Sequence, residues 1–158
     1  MYIGGMTQDP QTPAKSDPFA DFVCFSVYSA NLAFNRLYKA LLDQYGLTYP
    51  QYLVLVALRQ RDAQTVGELG DLLHLESNTL TPLLKRMEAA GLLDRARDAT
   101  DERVVRIRLT AEGLDRAEAI NCIPDQVVAG TGMSSEALTL LSRQLDELAT
   151  GLRNQNDV

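Results

Sequence analysis

The chain has 158 residues, 46% of them apolar and 23% charged, with a formal net charge of −6. That length and balance suit one globular domain, or one domain plus an oligomerisation element, and exclude a low-complexity or fibrous chain. No apolar run approaches the roughly 18 residues of a membrane helix, and no signal-peptide pattern opens the chain, so no membrane partner and a cytoplasmic location are expected.

Met1 to Asp17 is polar, with Gly4, Gly5, Pro10 and Pro13, and reads as a mobile arm. Phe19 to Tyr45 reads as a long helix ended by Gly46. Its apolar residues fall nearly all round the axis, and a helix apolar on every face must be covered on every face. A second subunit is the expected cover. Thr48 caps the next helix, Gln51 can complete its capping box, and Pro50 lies in a first turn where no donor is needed. Leu53, Val56 and Ala57 of that helix are expected to face the core.

From Thr65 to Leu109 three pieces follow one another. Thr65 and Glu68 have capping-box spacing, and Val66, Leu69 and Leu73 recur at helical spacing. Ser77 reads as the N-cap of a second helix whose apolar face is Leu80, Leu83, Leu84 and Met87 and which ends at Gly91. Pro82 sits inside it, past the position where proline costs nothing. The period then turns alternating. Strands are expected over Leu92–Arg97 and Arg103–Leu109, joined by a turn over 98–102, with Arg106 and Arg108 opposite Val105, Ile107 and Leu109.

Helix, short turn, helix and basic hairpin together form the pattern of a winged helix-turn-helix. The predicted fold class is therefore mainly α with a small β-hairpin wing. The winged helix-turn-helix unit covers 48–110, and dimerisation helices cover 18–47 and 111–155. Small hydroxyl and amide groups at a helix start can reach base edges and phosphates, and cations one turn later meet the backbone. The candidate DNA contacts are Ser77, Asn78, Thr79, Thr81, Lys85, Arg86, Arg95, Arg97 and Arg103. The overall acidity does not exclude DNA, because residues 74–108 carry seven Lys/Arg against six Asp/Glu and the negative balance lies elsewhere.

After the hairpin, Thr110 caps a helix that reaches Asn121 or Cys122 and then meets Pro124, with a break at Gly130 and Gly132. A last helix starts at Ser134 or Ser135. Its Leu138, Leu141, Leu145, Leu148 and Leu152 recur at alternating steps of three and four, the spacing of a heptad seam. The two cysteines, Cys24 and Cys122, lie far apart, and with His74 the only histidine, no metal site or cofactor is expected.

The wing residues Asp101-Glu102-Arg103 followed by Leu109-Thr110 resemble the wing signature of the MarR family of dimeric winged-helix repressors, and Asp101 takes a structural role in the wing under that resemblance. Three further stretches, Cys24 to Ala30, Leu47 to Leu53 and Leu80 to Met87, are similar to the organic hydroperoxide sensors (OhrR-type) of that family.

The resemblance implies a homodimer on a pseudopalindromic double-stranded operator, with no enzymatic role, that releases DNA when an organic hydroperoxide oxidises Cys24. It implies that Tyr38 and Tyr49 hydrogen-bond the sulfur from the partner subunit and that Tyr28 lines the same pocket. The thiolate is the reactive species and needs donors around it, which tyrosine hydroxyls supply without a full charge. Related sensors carry a resolving cysteine after the proline corresponding to Pro124. Cys122 precedes it, so the resolving thiol is either Cys122 or a low-molecular-weight thiol. The alternative is a MarR-type repressor released by a small phenolic or drug-like ligand in the dimer cleft, with Cys24 not redox-active.

Overall fold

The computed structural model describes residues 18–98, 101 and 103–156. The expected arm over 1–17 and the turn residues Ala99, Thr100 and Glu102 lie outside the described residues. The chain divides into two compact units, Met1–Ala33 and Phe34–Val158. Helix α1, Val23–Leu42, spans that division.

In the first unit, a turn over 18–21 leads into α1. Phe19 stacks on Phe25 with ring centroids 4.6 Å apart and meets Phe22 edge-on at 5.9 Å. Phe22, Val23 and Tyr28 are exposed.

The second unit holds the core. A short 3-10 turn, Asp43–Tyr45, ends at Gly46 in the left-handed region. Helix α2, Tyr49–Gln60, starts as expected: the Thr48 backbone N–H donates to Gln51 Oε1 at 2.8 Å, and Pro50 lies in the first turn. Its buried face departs from the expectation. Tyr52, Val54, Leu55, Ala57 and Leu58 are buried, Leu53 is only half-buried, and Val56 is exposed. Leu55 and Leu58 fill the space beneath α2, which leaves Val56 to line a cleft on its other side.

Strand β1, Gln64–Thr65, leads into α3, Val66–Leu73. Here the capping box is complete: Thr65 Oγ1 accepts from the Glu68 backbone N–H at 3.1 Å, and the Thr65 N–H donates to Glu68 Oε2 at 2.7 Å. Helix α4 is Ser77–Ala89. Glu76, not Ser77, is its N-cap. The Glu76 carbonyl accepts from Thr79 and Leu80, so Ser77 is already inside the helix and its hydroxyl makes no capping bond. Burial of Leu80, Leu83, Leu84 and Met87 sets this phase and holds the helix through Pro82. Gly91, at φ 74°, lets the chain leave α4: the Gly91 N–H donates to Glu88 O and Leu92 N–H to Met87 O, closing the orphan carbonyls.

The sheet order is β1-β3-β2, all antiparallel, with β2 Leu93–Arg97 and β3 Val105–Leu109. Both strands are shorter than the alternation suggested, and β1, only two residues long, has too few positions to show a period. Helix α5, Ala111–Ala119, is capped by Thr110 Oγ1, which accepts from Gly113 N–H at 3.0 Å and donates to Gly91 O at 2.6 Å. A 3-10 turn, Ile120–Cys122, joins α5 to α6, Ile123–Thr131. Pro124 therefore opens α6 rather than stopping the preceding helix, since its missing N–H falls in a first turn. Gly130 lies inside α6, and Gly132, at φ 66°, ends it. Helix α7, Ser135–Asn156, is capped by Ser134, whose Oγ accepts from Ala137 N–H at 3.2 Å. Among the described residues no helix is long and apolar enough to cross a membrane.

Candidate nucleic-acid interface and thiol site

The start of α4 is exposed and polar. Ser77, Asn78 and Thr79 face outward in its first turn. Asn78 Nδ2 donates to Glu76 Oε2, and Thr79 Oγ1 donates to Asn78 Oδ1, both at 3.2 Å. These side chains are ordered at a helix N-terminus, where orphan N–H groups and the dipole suit a phosphate or a base acceptor. Lys85 and Arg86 are exposed further along the helix, while Thr81 is half-buried.

The wing sorts its arginines. Residues opposite one another in antiparallel strands share a face. Arg95 pairs with Ile107 and so lies on the core-facing side, half-buried, with Nη1 3.9 Å from Glu88 Oε2 of α4. Its Nε is buried and has no hydrogen-bond partner among the described residues. Arg97 and Arg103 are exposed. Asp101 Oδ1 accepts from the Arg103 backbone N–H at 3.0 Å and its carbonyl accepts from Val104 N–H at 2.9 Å, which folds the turn that presents Arg103. Arg106 pairs with exposed Ala96 on the opposite face, where it donates to Asp98 and to the Ala63 carbonyl.

The candidate thiol residues fall in both units. On α1, Cys24 is a free, exposed cysteine, and Tyr28 follows one turn later on the same helix. In the second unit, Tyr38 and Tyr49 stand with ring centroids 4.3 Å apart. Sequence reasoning missed the third member of this cluster. Tyr52, one turn after Tyr49, lies 5.7 Å from Tyr38 and 6.1 Å from Tyr49, and only its three-residue spacing signalled it. Burial, then the neighbouring Tyr49 and Tyr52, push the Tyr38 phenol up to about 12. Burial likewise raises Tyr49 and Tyr52. All three stay protonated near neutral pH and able to donate a hydrogen bond.

Cys122 is also free and exposed. Gln126 Nε2 donates to its sulfur at 3.3 Å, and Tyr45 Oη lies 3.7 Å from it. That contact, first among its causes, raises the Tyr45 phenol above its ordinary value. Gln126 is one turn beyond Cys122 and was open to detection by spacing; Tyr45 is 77 residues away and was not. Beside Tyr52 lies an open cleft of about 440 Å³ lined by Val56, Arg59, Gln60, Ala117, Ile120, Asn121 and Pro124. Arg59 Nη1 donates to Asn121 Oδ1 at this cleft.

Comparisons with known proteins agree with the winged-helix fold. Residues 36–120 match the family model described as transcriptional regulator SarA/Rot. The chain is 48% identical to the HTH-type transcriptional regulator TtmR of Methylorubrum extorquens over 81% of its own length, and that match spans 64% of TtmR. It is 40% identical to the organic hydroperoxide resistance transcriptional regulator of Bacillus subtilis, over 85% of this chain and 91% of that one. Among solved structures, reduced AbfR bound to DNA is 35% identical with a TM-score of 0.69, covering 82% of this chain and 90% of that chain. Disulfide-formed AbfR is 37% identical with a TM-score of 0.59, covering 80% and 88%.

Proposed function

The chain belongs to the SarA/Rot and MarR family of winged-helix, DNA-binding transcriptional regulators, and on that premise we propose that it is a homodimeric repressor that leaves its operator when an organic hydroperoxide oxidises Cys24. The observation that carries the reading is the Tyr38–Tyr49 pair, two phenols brought 4.3 Å apart and kept protonated, ready to donate to a sulfur. The name of the B. subtilis relative and the existence of AbfR in reduced, DNA-bound and disulfide-formed states support it.

The chemistry is a two-electron oxidation. The Cys24 thiolate attacks the terminal peroxide oxygen, and the S–O bond forms as the O–O bond breaks. The departing alkoxide takes up a proton and leaves as the alcohol. Sulfur loses two electrons and the peroxide gains them. A second thiol then attacks the sulfenic sulfur, forming a disulfide and releasing water. That thiol is either Cys122 of the partner subunit or a low-molecular-weight thiol. The aromatic side chains of Phe22, Phe25 and Tyr28 near Cys24 in sequence suit an organic peroxide better than hydrogen peroxide. The peroxide is a signal here, so no sustained peroxide turnover accompanies it.

The leucines that α7 leaves exposed, Leu141, Leu145, Leu148 and Leu152, support the dimer. Two copies set two α4 helices into successive major grooves of a pseudopalindromic site, with Ser77, Asn78 and Thr79 at base edges and Lys85, Arg86, Arg97 and Arg103 on the backbone. Intact-mass analysis after one equivalent of organic hydroperoxide, with dimedone present to trap sulfenic acid, tests the chemistry. A single adduct on Cys24, forming more slowly in Tyr38→Phe and Tyr49→Phe, is expected. An unmodified Cys24 sinks the proposal. A non-reducing gel of wild type and Cys122→Ser decides the resolving thiol: a Cys122-dependent covalent dimer means an intersubunit bridge.

The 440 Å³ cleft beside Tyr52 favours one second reading, release by a small phenolic or drug-like ligand with Cys24 not redox-active. Ligand-induced release that persists in Cys24→Ser separates it from the first.

A further inference from the structure

Arg106 lies on the middle strand of the sheet, directly between Ala96 of β2 and Thr65 of β1. In sequence it is one of the wing arginines, set with Arg108 opposite Val105, Ile107 and Leu109. Its guanidinium meets two acceptors. Nε donates to Asp98 Oδ2 at the far end of β2, and Nη1 donates to the Ala63 carbonyl at 3.0 Å. Ala63 is a non-glycine residue at φ 57°, a conformation L-residues rarely hold without outside support.

The turn that contains Ala63 is fastened at every step. Gln64, buried, donates to Ala57 O at 3.0 Å and Arg61 O at 2.8 Å, both at the C-terminal end of α2. Asp62 Oδ1 accepts from Leu109 N–H of β3 at 3.0 Å. Arg61 pairs with Glu68 of α3 at 3.0 Å. Into this joint Arg106 brings a fork that ties Asp98, just past the end of β2, to the turn.

We propose that Arg106 is a positioning residue for DNA binding, a clamp between Asp98 and the Ala63 carbonyl that holds the wing at a fixed angle to the end of α2, and not itself a phosphate contact. The fork geometry of arginine is what the site uses, because two acceptors on two segments are met by one planar group; lysine offers a point charge instead. The wing angle then decides whether Arg97 and Arg103 meet the DNA backbone while α4 lies in the groove.

Fluorescence anisotropy of the reduced protein on a duplex taken from the DNA upstream of its own coding sequence tests this, independently of any peroxide chemistry. The set is wild type, Arg106→Leu, Asp98→Asn and the double variant at one salt concentration. Arg106→Leu is expected to bind about tenfold more weakly, a loss of roughly 1.4 kcal/mol. Asp98→Asn is expected to weaken binding to a similar degree, although removing a carboxylate near DNA otherwise strengthens it. The double variant is expected to be no weaker than Arg106→Leu, the signature of one shared interaction.

If Asp98→Asn binds as well as wild type or better while Arg106→Leu is weak, Arg106 is a phosphate contact and the clamp is wrong. Additive losses in the double variant also overturn it. If either variant fails to fold by circular dichroism, Arg106→Lys decides: weakened binding at an unchanged melting temperature supports the clamp, and wild-type affinity overturns it.

Discussion

Helices α4 and α7 carry the same kind of leucine spacing and come to opposite ends. In α4, Leu80, Leu83, Leu84 and Met87 are at most 5% exposed. In α7, Leu141, Leu145, Leu148 and Leu152 are 36–57% exposed, and no residue of that helix whose exposure is described is buried. The region around α4 buries that leucine face and caps its helices from within: the Thr65–Glu68 box, the Gly91 exit, the Thr110 cap. The region of α7 leaves a seam open. The contrast fits the proposed division of labour, a DNA-reading body around α4 and a seam on α7 for a second copy.

The sharpest way to break that contrast is to charge the seam. Leu145→Asp with Leu148→Asp is expected to turn a dimer into a monomer in sedimentation equilibrium and to abolish tight operator binding, since one half-site remains. The melting of the α2–α5 body should persist in that monomer. A dimer that survives both charges removes α7 from the interface.

Within the DNA-reading body the largest expected effect comes from Gly113→Ala. A Cβ there stands 2.0 Å from the Leu92 carbonyl oxygen, which α5 approaches through that glycine. Neither backbone can yield cheaply, and a loss of about 3 kcal/mol is expected in urea unfolding. A loss below about 1 kcal/mol means that α5 stands further from the Leu92 carbonyl than 2.0 Å implies. Thr65→Ala removes one half of a capping box and is expected to cost about 1 kcal/mol, read by the same unfolding curves.

Alkaline pH probes the tyrosine cluster. Tyr38 holds its proton to about 12 in the folded chain, against an ordinary value of 10.0. The unfolded chain loses that proton first, so the stabilisation is complete below pH 10 and is lost as pH rises toward 12. Tyrosinate absorbance in Tyr38→Phe should lack the latest-titrating phenol; an unchanged late step places the shift on another residue. At the small end, Gly151→Ala in α7 meets nothing within 4 Å. It is expected to stabilise by up to about 1 kcal/mol through helix propensity alone.

Much of this was legible in the sequence where local chemistry decides structure. The capping bonds Thr48–Gln51, Thr65–Glu68 and Thr110–Gly113 and the helix exit at Gly91 join residues within five of one another, and the chain writes such contacts out in order. The buried face of α4 followed from its period. What escaped depends on distant partners. Ser77 looked like a cap, but Glu76 takes that place because packing of Leu80 and Leu84 sets where the helix begins. Val56 looked like core, yet its neighbours Leu55 and Leu58 won the space. Arg95 looked like a DNA contact beside Arg97 and Arg103, and Arg106 looked like a free charge on the outward face of β3. Cross-strand register turns Arg95 toward Glu88, and an acceptor 43 residues away captures Arg106. The Tyr38–Tyr49 pair came from the resemblance, and Tyr52 beside it came from neither.

Whether one sulfur switches the DNA-reading body is decided by titrating the reduced protein onto its own upstream DNA, adding one equivalent of organic hydroperoxide, and repeating both with Cys24→Ser. Peroxide is expected to release wild type and to leave the Cys24→Ser complex intact; release of both, or of neither, overturns the redox switch.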